Sequence, residues 1–240
     1  MSDTVKRPNV LIFCVDEMRA DHMGCAGNPV VQTPNLDLLV SRGTLFRRSY
    51  CNNPICMPAR ATMFTGLLPR DHGVRVNGQA LRIDLPTLPG VLAEAGYRTH
   101  AAGKLHLTPW VPSVDQGRGV DDVPEAEDVR FSVPQDPLRY PEALHSWREG
   151  VIETFPVPYY GFQSVDFVGG HVAYAYGEYI GWLREQGGDP KTLSPESALS
   201  SPSGAPQTYR LGLPTELHYN RYIADATIEA IRTAAQAGEP

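Results

Sequence analysis

The chain of 240 residues carries 21 lysines and arginines against 27 aspartates and glutamates, a formal net charge of −6 at pH 7. Hydrophobic residues make up 42% and charged residues 20%, proportions that exclude an intrinsically disordered chain and a coiled coil. The negative charge argues against nucleic acid and acidic membrane surfaces as partners, and no apolar run approaches the roughly 18 residues of a membrane span.

The first element predicted in chain order is a buried strand. Residues 1–8 before it lack the apolar stretch of a secretory signal, so we expect a cytoplasmic protein. Residues 10–15 form an unbroken apolar run, the pattern of a strand buried on both faces of a parallel sheet. Asp16 and Glu17 follow it directly, and open α/β sheets bind ligands beyond the carboxyl ends of their strands. The acidic pair is therefore a candidate for a binding site.

Helices and strands alternate over the rest of the first half. Capping residues, prolines in first turns and closing glycines predict the helices, and apolar runs predict the strands. The predicted elements are a helix at 33–43, a strand at 44–51, a short helix with Cys56 at its N-terminal end and Gly66 after it, a helix at 87–95 and a strand at 97–103. This alternation indicates an α/β layer fold.

The second half is less regular. Residues 111–170 are rich in proline, glycine, aspartate and aromatic residues, which indicates long surface loops near a site or an insertion. Helices are predicted at 171–186 and, with one apolar face, at 215–237. The expected division is a motif-bearing α/β core at 1–110, a loop-rich insertion at 111–210 and a helix returning to the core at 211–240.

Several conspicuous side chains are predicted to be structural. We expect His218 to partner the start of the last helix rather than act as a catalyst. Arg19, Asp21 and His22 are expected to fix a loop, with support of a metal site as the alternative. Packing is the expected role of four aromatic residues, namely Tyr174, Tyr176, Tyr179 and Trp182.

A set of short motifs in a fixed order carries the chemistry. They are Arg7-Pro8-Asn9, Asp16-Glu17, Thr33-Pro34-Asn35-Leu36-Asp37, Cys56-Met57-Pro58-Ala59-Arg60 followed by Thr65-Gly66, His72-Gly73 and Gly103-Lys104-Leu105-His106. In order and spacing the chain resembles the sulfatase family of the alkaline-phosphatase superfamily, densely over residues 7–108 and loosely over 109–240. The resemblance implies an alkaline-phosphatase-like fold, a mostly parallel central sheet with helices on both faces.

The resemblance assigns Cys56 as the precursor of the nucleophile. In that family the motif cysteine is oxidised by a separate formylglycine-generating enzyme to formylglycine (3-oxoalanine), and Pro58 and Arg60 belong to the sequence which that enzyme recognises. The residues themselves agree, because a helix N-terminus favours anions and Arg60 can hold a charged oxygen or steady the hydrated aldehyde. The alternative for Cys56 is an inert thiol in a turn. Ala59 stands where the family most often has serine.

The acidic pair is predicted to bind a divalent metal ion. Asp16 and Glu17 supply hard oxygen ligands, which suit Ca²⁺ or Mg²⁺. The resemblance implies that an ion, Ca²⁺ first and Mg²⁺ or Mn²⁺ as alternatives, bridges this pair to the modified Cys56. At the position of Glu17 the family more often has aspartate or glutamine. Glu17 is therefore expected either to coordinate the ion or to be a solvated residue at the end of the strand.

Lys104 and His106 are the remaining candidates for catalysis. They lie two residues apart directly after a predicted strand, so on an extended segment both can face one side. The resemblance implies that the lysine binds the ester oxygens and that the histidine contacts the nucleophile or the leaving oxygen. The alternatives are a lysine that is only exposed on the surface and a histidine that only packs. Asn77 is predicted either to reach the substrate or to serve only its own turn.

The resemblance covers only the front part of the family's catalytic domain. Relatives are longer, and their second half supplies further metal and ester ligands, so we expect a truncated chain that hydrolyses little by itself. Three hypotheses follow: a sulfate ester hydrolase, a phosphonate monoester or phosphodiester hydrolase with the same apparatus, and a truncated inactive fragment. The expected partners are the small-molecule ester and the formylglycine-generating enzyme.

Overall fold

The computed structural model describes residues 7–110, 138–201, 203, 205, 208, 210–238 and 240. The chain divides into two compact units, residues 1–54 and residues 55–240. Within the described residues, no helix combines the length and the apolar composition that crossing a bilayer requires.

The first unit contains a 3₁₀ turn at Gly24–Ala26 and helix α1 at Pro34–Arg42, which confirms the predicted helix. Thr33 precedes α1 but does not cap it with its side chain. Its hydroxyl instead accepts from the Gly24 N–H and donates to Asp37 Oδ1, both at 2.9 Å. Asp37 also accepts from Cys25 N at 2.8 Å, so this carboxylate ties the turn to α1.

Two predicted strands of the first unit are wrong for the described chain. Residues 10–15 and 44–51 have no strand structure, and the side chains of the first run are exposed, Phe13 to 74%. A strand is stable only when ladder hydrogen bonds and packed faces supply partners for it. Among the described residues the named strands belong to a single three-stranded sheet that includes neither run. An apolar pattern shows that a segment could be buried as a strand. Whether it forms one depends on strands and packing surfaces supplied by other segments of the chain.

The second unit is built around that sheet, whose strands are β1 at His100–Gly103, β2 at Ser164–Gly169 and β3 at Tyr176–Gly177. β1 and β2 pair in parallel from His100 opposite Ser164 to Gly103 opposite Phe167. β2 and β3 pair antiparallel. The α/β class is therefore as predicted, the sheet is small and mixed, and the strand expected at 97–103 forms over its second half.

Six α-helices of the second unit are described: α2 at Cys56–Thr65, α3 at Pro69–His72, α4 at Leu88–Glu94, α5 at Leu144–Arg148, α6 at Glu178–Glu185 and α7 at Tyr219–Ala237. Short 3₁₀ turns occur at Val172–Tyr174, Pro190–Leu193, Pro195–Ser197 and Thr215–Leu217. The helices predicted at 56–65, 87–95 and 215–237 are confirmed.

The helix predicted at 171–186 is wrong in its first half. A 3₁₀ turn and β3 precede α6, which begins only at Glu178. Gly177 interrupts any longer helix because its φ of 100° lies in the left-handed region, and a Cβ there would meet Phe167 O at 2.6 Å. A close approach of two backbones thus decides where the helix starts.

Aromatic side chains form much of the core. Phe155 and Phe167 pack with ring centroids 4.8 Å apart, and Trp147 stacks on Phe167 at 5.5 Å. A second cluster joins Tyr179 of α6 to Tyr222 of α7. Tyr176 and Tyr179 are buried, as expected of packing residues. His218 Nδ1 accepts from Asn220 N at 3.2 Å and so caps α7, also as predicted.

The proposed division at residues 110 and 210 stays a prediction. Residues 111–137, the first part of the expected insertion, lie outside the described residues. From residue 138 onward the same stretch includes regular structure, with β2 in the centre of the sheet.

Candidate active site

The candidate site lies where β1 and β2 end side by side. Since the two strands are parallel, the residues that follow them meet at one edge of the sheet. Lys104 follows β1, and His171 follows Gly169 and Gly170 at the end of β2. Lys104 Nζ lies 3.3 Å from His171 Nε2. An ammonium group can donate to an imidazole nitrogen at this distance, so the pair places a cation beside an aromatic nitrogen base.

A small cavity surrounds this pair. It is lined by Lys104, His106, Trp110, Glu142, Gly169, Gly170, His171 and Tyr176. The Trp110 ring stacks on Tyr176 with centroids 6.5 Å apart and lies 6.3 Å from the His171 ring. Aromatic walls and glycine backbone thus surround a few polar groups that converge on one point, the usual composition of a small-molecule site.

The segment from Lys104 to Thr108 is held by a buried carboxylate. Glu142, 2% exposed, accepts hydrogen bonds from the backbone N–H groups of His106, of Leu107 at 2.7 Å and of Thr108 at 3.0 Å. Tyr159 OH donates to the same carboxylate at 2.7 Å. Burial raises the pKa of Glu142, and the hydrogen bonds from Tyr159 and the three amides oppose that rise.

Cys56 is the first residue of α2 and is partly exposed. The amide group of Asn77 contacts its Sγ, at 3.4 Å from Nδ2 and 3.6 Å from Oδ1. Asn77 Oδ1 also accepts from Met57 N at 3.1 Å, so it satisfies one of the N–H groups that the first turn of a helix leaves without a partner. Asn77 therefore hydrogen-bonds to the first turn of α2 and contacts the Cys56 thiol, so its contacts extend beyond its own turn.

Arg60 connects α2 to the segment after β1. Its side chain is buried, and Nη1 donates to the carbonyl oxygen of Lys104 at 2.5 Å. This contact joins the helix that begins at Cys56 to the backbone of Lys104. A role of Arg60 toward the substrate stays a prediction.

Asp16 and Glu17 lie in the first unit, whereas Cys56, Asn77 and Lys104 belong to the second. A carboxylate oxygen of Asp16 and one of Glu17 lie within 4.8 Å of each other, and Glu17 has a left-handed φ of 55°. Two adjacent carboxylates suit a hard divalent cation, which takes six to eight oxygens in the case of Ca²⁺.

The predicted loop role of Arg19, Asp21 and His22 agrees with their contacts. Arg19 donates to Asp21 through Nε at 3.0 Å and Nη2 at 2.7 Å, and His22 Nδ1 lies 2.9 Å from Asp21 Oδ1. The Arg19 guanidinium, with His22, holds the pKa of the Asp21 carboxyl well below its usual range. All three side chains are exposed, so these contacts shape a surface turn.

The structure brings Lys104 and His106 into one cavity and Asn77 against Cys56, with Arg60 between α2 and Lys104. Sequence reasoning missed His171, Trp110 and Glu142. A signal for His171 was present, because it follows two glycines after the apolar end of β2. Glu142 and Trp110 carry no comparable local signal.

Comparison with known proteins identifies the family of the chain. The model of the family described as Sulfatase matches residues 8–146, more than half of the chain. The chain therefore belongs to the sulfatase family.

Curated relatives match a shared segment. The chain is 36% identical over 106 residues to an arylsulfatase of Clostridium perfringens, covering 43% of this chain and 22% of the relative. It is 36% identical over 113 residues to human N-acetylgalactosamine-6-sulfatase, covering 42% and 22% respectively. The matched segments thus span about a fifth of the length of these relatives.

Among solved structures, the chain is similar to the phosphonate monoester hydrolase of Agrobacterium radiobacter. The TM-score is 0.65 at 24% identity, over 94% of this chain and 38% of that one. This similarity shows the shared fold, an alkaline-phosphatase-like α/β arrangement.

Proposed function

We propose that the whole protein hydrolyses sulfate esters of small molecules. The observation that carries the proposal is the cavity at the ends of β1 and β2, where Lys104 Nζ and His171 Nε2 are 3.3 Å apart. A sulfate ester has a negative charge spread over its terminal oxygens, and an ammonium group beside an imidazole offers a cation and N–H donors for them. Membership of the sulfatase family supports the same chemistry.

Three polar residues of the cavity and the nearby Asn77 have proposed roles. Lys104 binds the terminal oxygens and offsets the negative charge that grows on them in the transition state. His106 transfers a proton to the leaving alcohol oxygen or contacts the nucleophile. His171 accepts from the Lys104 ammonium group through Nε2 and so orients it. Asn77 binds the substrate beside position 56.

The proposed nucleophile comes from Cys56. Its partial exposure at a helix start leaves the thiol accessible to a formylglycine-generating enzyme, the proposed protein partner. As formylglycine, residue 56 would supply a hydrated aldehyde. One hydroxyl would lose its proton and attack sulfur while the S–O bond to the alcohol breaks and the alcohol oxygen takes up a proton. The second hydroxyl would then lose its proton as the aldehyde re-forms and sulfate leaves. Asn77 holds the first turn of α2 in place and contacts the reacting position.

Asp16 and Glu17 are the proposed ligands of a divalent metal ion, together with residue 56. Their oxygen donors fit Ca²⁺, with Mg²⁺ or Mn²⁺ as alternatives. A bound divalent ion supplies Lewis-acid chemistry, since it polarises the ester and lowers the pKa of a hydroxyl group. A cytoplasmic location stays a prediction of the sequence.

A second candidate function is hydrolysis of phosphonate monoesters or phosphodiesters. It is favoured by the fold shared with a phosphonate monoester hydrolase over 94% of this chain. Sulfate and phosphonate esters are both tetrahedral anions, so the same cation and donors serve either one.

Paired assays test the two candidates. The protein is expressed from its complete reading frame together with a formylglycine-generating enzyme and assayed on an aryl sulfate and an aryl phosphonate monoester. We expect faster hydrolysis of the sulfate and loss of activity in Cys56→Ala. Faster hydrolysis of the phosphonate establishes the second function. A protein that carries formylglycine yet cleaves neither ester contradicts both.

A further inference from the structure

Glu142 is a buried acidic residue with no place in the proposed reaction. It lies 36 residues after His106 in sequence, and its carboxylate accepts from three consecutive backbone N–H groups and one phenol. Burying a carboxylate costs free energy unless hydrogen bonds replace its water. The four donors replace much of that water, so this side chain is built into the fold as an acceptor.

The backbone that Glu142 binds has an unusual conformation. His106 has a φ of 58°, in the left-handed region that non-glycine residues seldom occupy because it costs them free energy. Consecutive N–H groups converge on an anion when one residue of the turn adopts this conformation. The carboxylate therefore stabilises the left-handed turn at His106.

The turn decides where two side chains point. Lys104 and His106 line the same cavity. The segment from Lys104 to Thr108 that carries them is not a strand. Arg60 holds the carbonyl of Lys104 on one side of the turn, and Glu142 holds the N–H groups of His106 to Thr108 on the other. The two contacts together fix the segment at both of its ends.

We propose that Glu142 is a positioning residue, which holds the segment from Lys104 to Thr108 so that Lys104 and His106 face the ester. The assignment of that task rests on the proposed function. The hydrogen bonds from the N–H groups of residues 106–108 to Glu142 are here called the clamp. The existence of the clamp does not depend on whether any ester is hydrolysed.

Nuclear magnetic resonance of the isotopically labelled chain tests the clamp directly. In the unaltered protein we expect scalar coupling across the hydrogen bonds, between the amide nitrogens of Leu107 and Thr108 and the side-chain carboxylate carbon of Glu142. This measurement needs no variant. Amides of Leu107 and Thr108 that show no such coupling and exchange as fast as unstructured amides overturn the proposal.

The variant Glu142→Gln keeps the shape but turns one accepting oxygen into a donor. We expect the amides of residues 106–108 to exchange about ten- to a hundredfold faster. This is the change in rate expected when a hydrogen bond to a charged acceptor is lost. Glu153→Gln is the matched control because Glu153 is exposed in the same part of the chain, and it should leave this exchange unchanged. Tyr159→Phe removes the phenol hydroxyl, which donates to Glu142 and also lies 3.1 Å from Thr108 Oγ1, but it leaves the carboxylate and the three amides in place. It should change the exchange less than twofold.

Histidine resonances separate positioning from general support of the core. The imidazole signal of His106 should shift or broaden in Glu142→Gln, whereas that of His72, buried elsewhere in the same unit, should stay in place. Equal changes at both histidines, or unchanged exchange at residues 106–108, overturn the proposal. A chain that shows the clamp but whose complete protein hydrolyses no ester contradicts the proposed function alone.

Discussion

Lys104 Nζ lies 3.3 Å from His171 Nε2, although the two residues are 67 positions apart in the sequence. Their proximity follows from the parallel pairing of β1 with β2, which carries both residues to one edge of the sheet. The geometry provides a local cation for the proposed anionic ester in a chain with a net charge of −6. The proposed site therefore does not need attraction of the ester by the overall charge of the chain.

Replacement of Lys104 tests the proposed cation. Lys104→Met keeps most of the side-chain volume but removes the charge, and we expect kcat/KM of the complete protein to fall about a hundred- to a thousandfold, the usual loss for one oxyanion-binding group. The measurement is steady-state hydrolysis of an aryl sulfate. Lys191→Met, at a surface 3₁₀ turn, is the control and should retain activity. Retained activity in Lys104→Met contradicts the assigned role.

Asn77 is expected to stabilise the start of α2 as well as to contact residue 56. Asn77→Ala removes the acceptor for Met57 N and should lower the free energy of unfolding by about 1 kcal/mol, as loss of a helix cap does. Asn77→Asp keeps an oxygen acceptor and should restore most of that stability. Chemical denaturation of the two variants measures the difference. Equal stability of Asn77→Ala and the unaltered chain would show that this contact contributes nothing.

His72 predicts how stability changes with pH. The ring is 1% exposed, its Nδ1 accepts from Val74 N at 3.1 Å and its Nε2 lies 3.1 Å from Thr62 Oγ1. Burial lowers the pKa of His72 below its usual 6.5. Between pH 6.5 and the lowered pKa, the unfolded chain binds a proton at His72 that the folded chain does not. Acidification through this range therefore lowers the free energy of unfolding by up to about 1.4 kcal/mol per pH unit for this group.

Urea denaturation at pH 7 and at pH 5 measures this effect. In His72→Asn the amide oxygen can still accept from Val74 N, but the group does not titrate, so the loss of stability on acidification should be smaller than in the unaltered chain. His100 and His218 also have pKa values lowered by burial, so part of the pH dependence remains in the variant. An identical pH dependence in both proteins contradicts the prediction.

The acidic pair predicts dependence on a divalent ion. Removal of metal from the complete protein with a chelator should abolish ester hydrolysis, and added Ca²⁺ should restore it. Asp16→Asn should weaken Ca²⁺ binding, followed by calorimetry, at least tenfold because a charged ligand becomes neutral. Asp21→Asn is the control, since Asp21 pairs with Arg19 in a surface turn. Recovery with Mg²⁺ or Mn²⁺ but not with Ca²⁺ would change the assigned ion.

Local signals in the sequence predicted the helix that carries Cys56. Pro58 in its first turn and Gly66 with a φ of 70° after its last residue mark both ends, and these signals act over a few residues. The same holds for Thr87, whose hydroxyl accepts from Gly90 N at the start of α4. Helix ends are determined within one turn of chain, so local composition is sufficient to find them.

The pairing partners of the strands and the contacts of Glu142 could not be found in this way. Residues 10–15 have the composition of a buried strand, but a ladder needs a second strand from elsewhere in the chain. Glu142 resembles any other acidic residue until the fold brings it to the amides of residues 106–108. The sequence predicted candidate residues through their motif, whereas the contacts of Glu142 and His171 depend on tertiary structure.

The most direct test of the account is the chemical state of residue 56 in the complete protein. Mass spectrometry of the peptide containing that residue, after co-expression with a formylglycine-generating enzyme, should show oxygen in place of sulfur and two fewer hydrogens. Aryl sulfate hydrolysis should rise in proportion to the converted fraction and be absent in Cys56→Ala. A peptide that retains an unaltered cysteine in a protein that hydrolyses the ester at full rate would contradict the central claim.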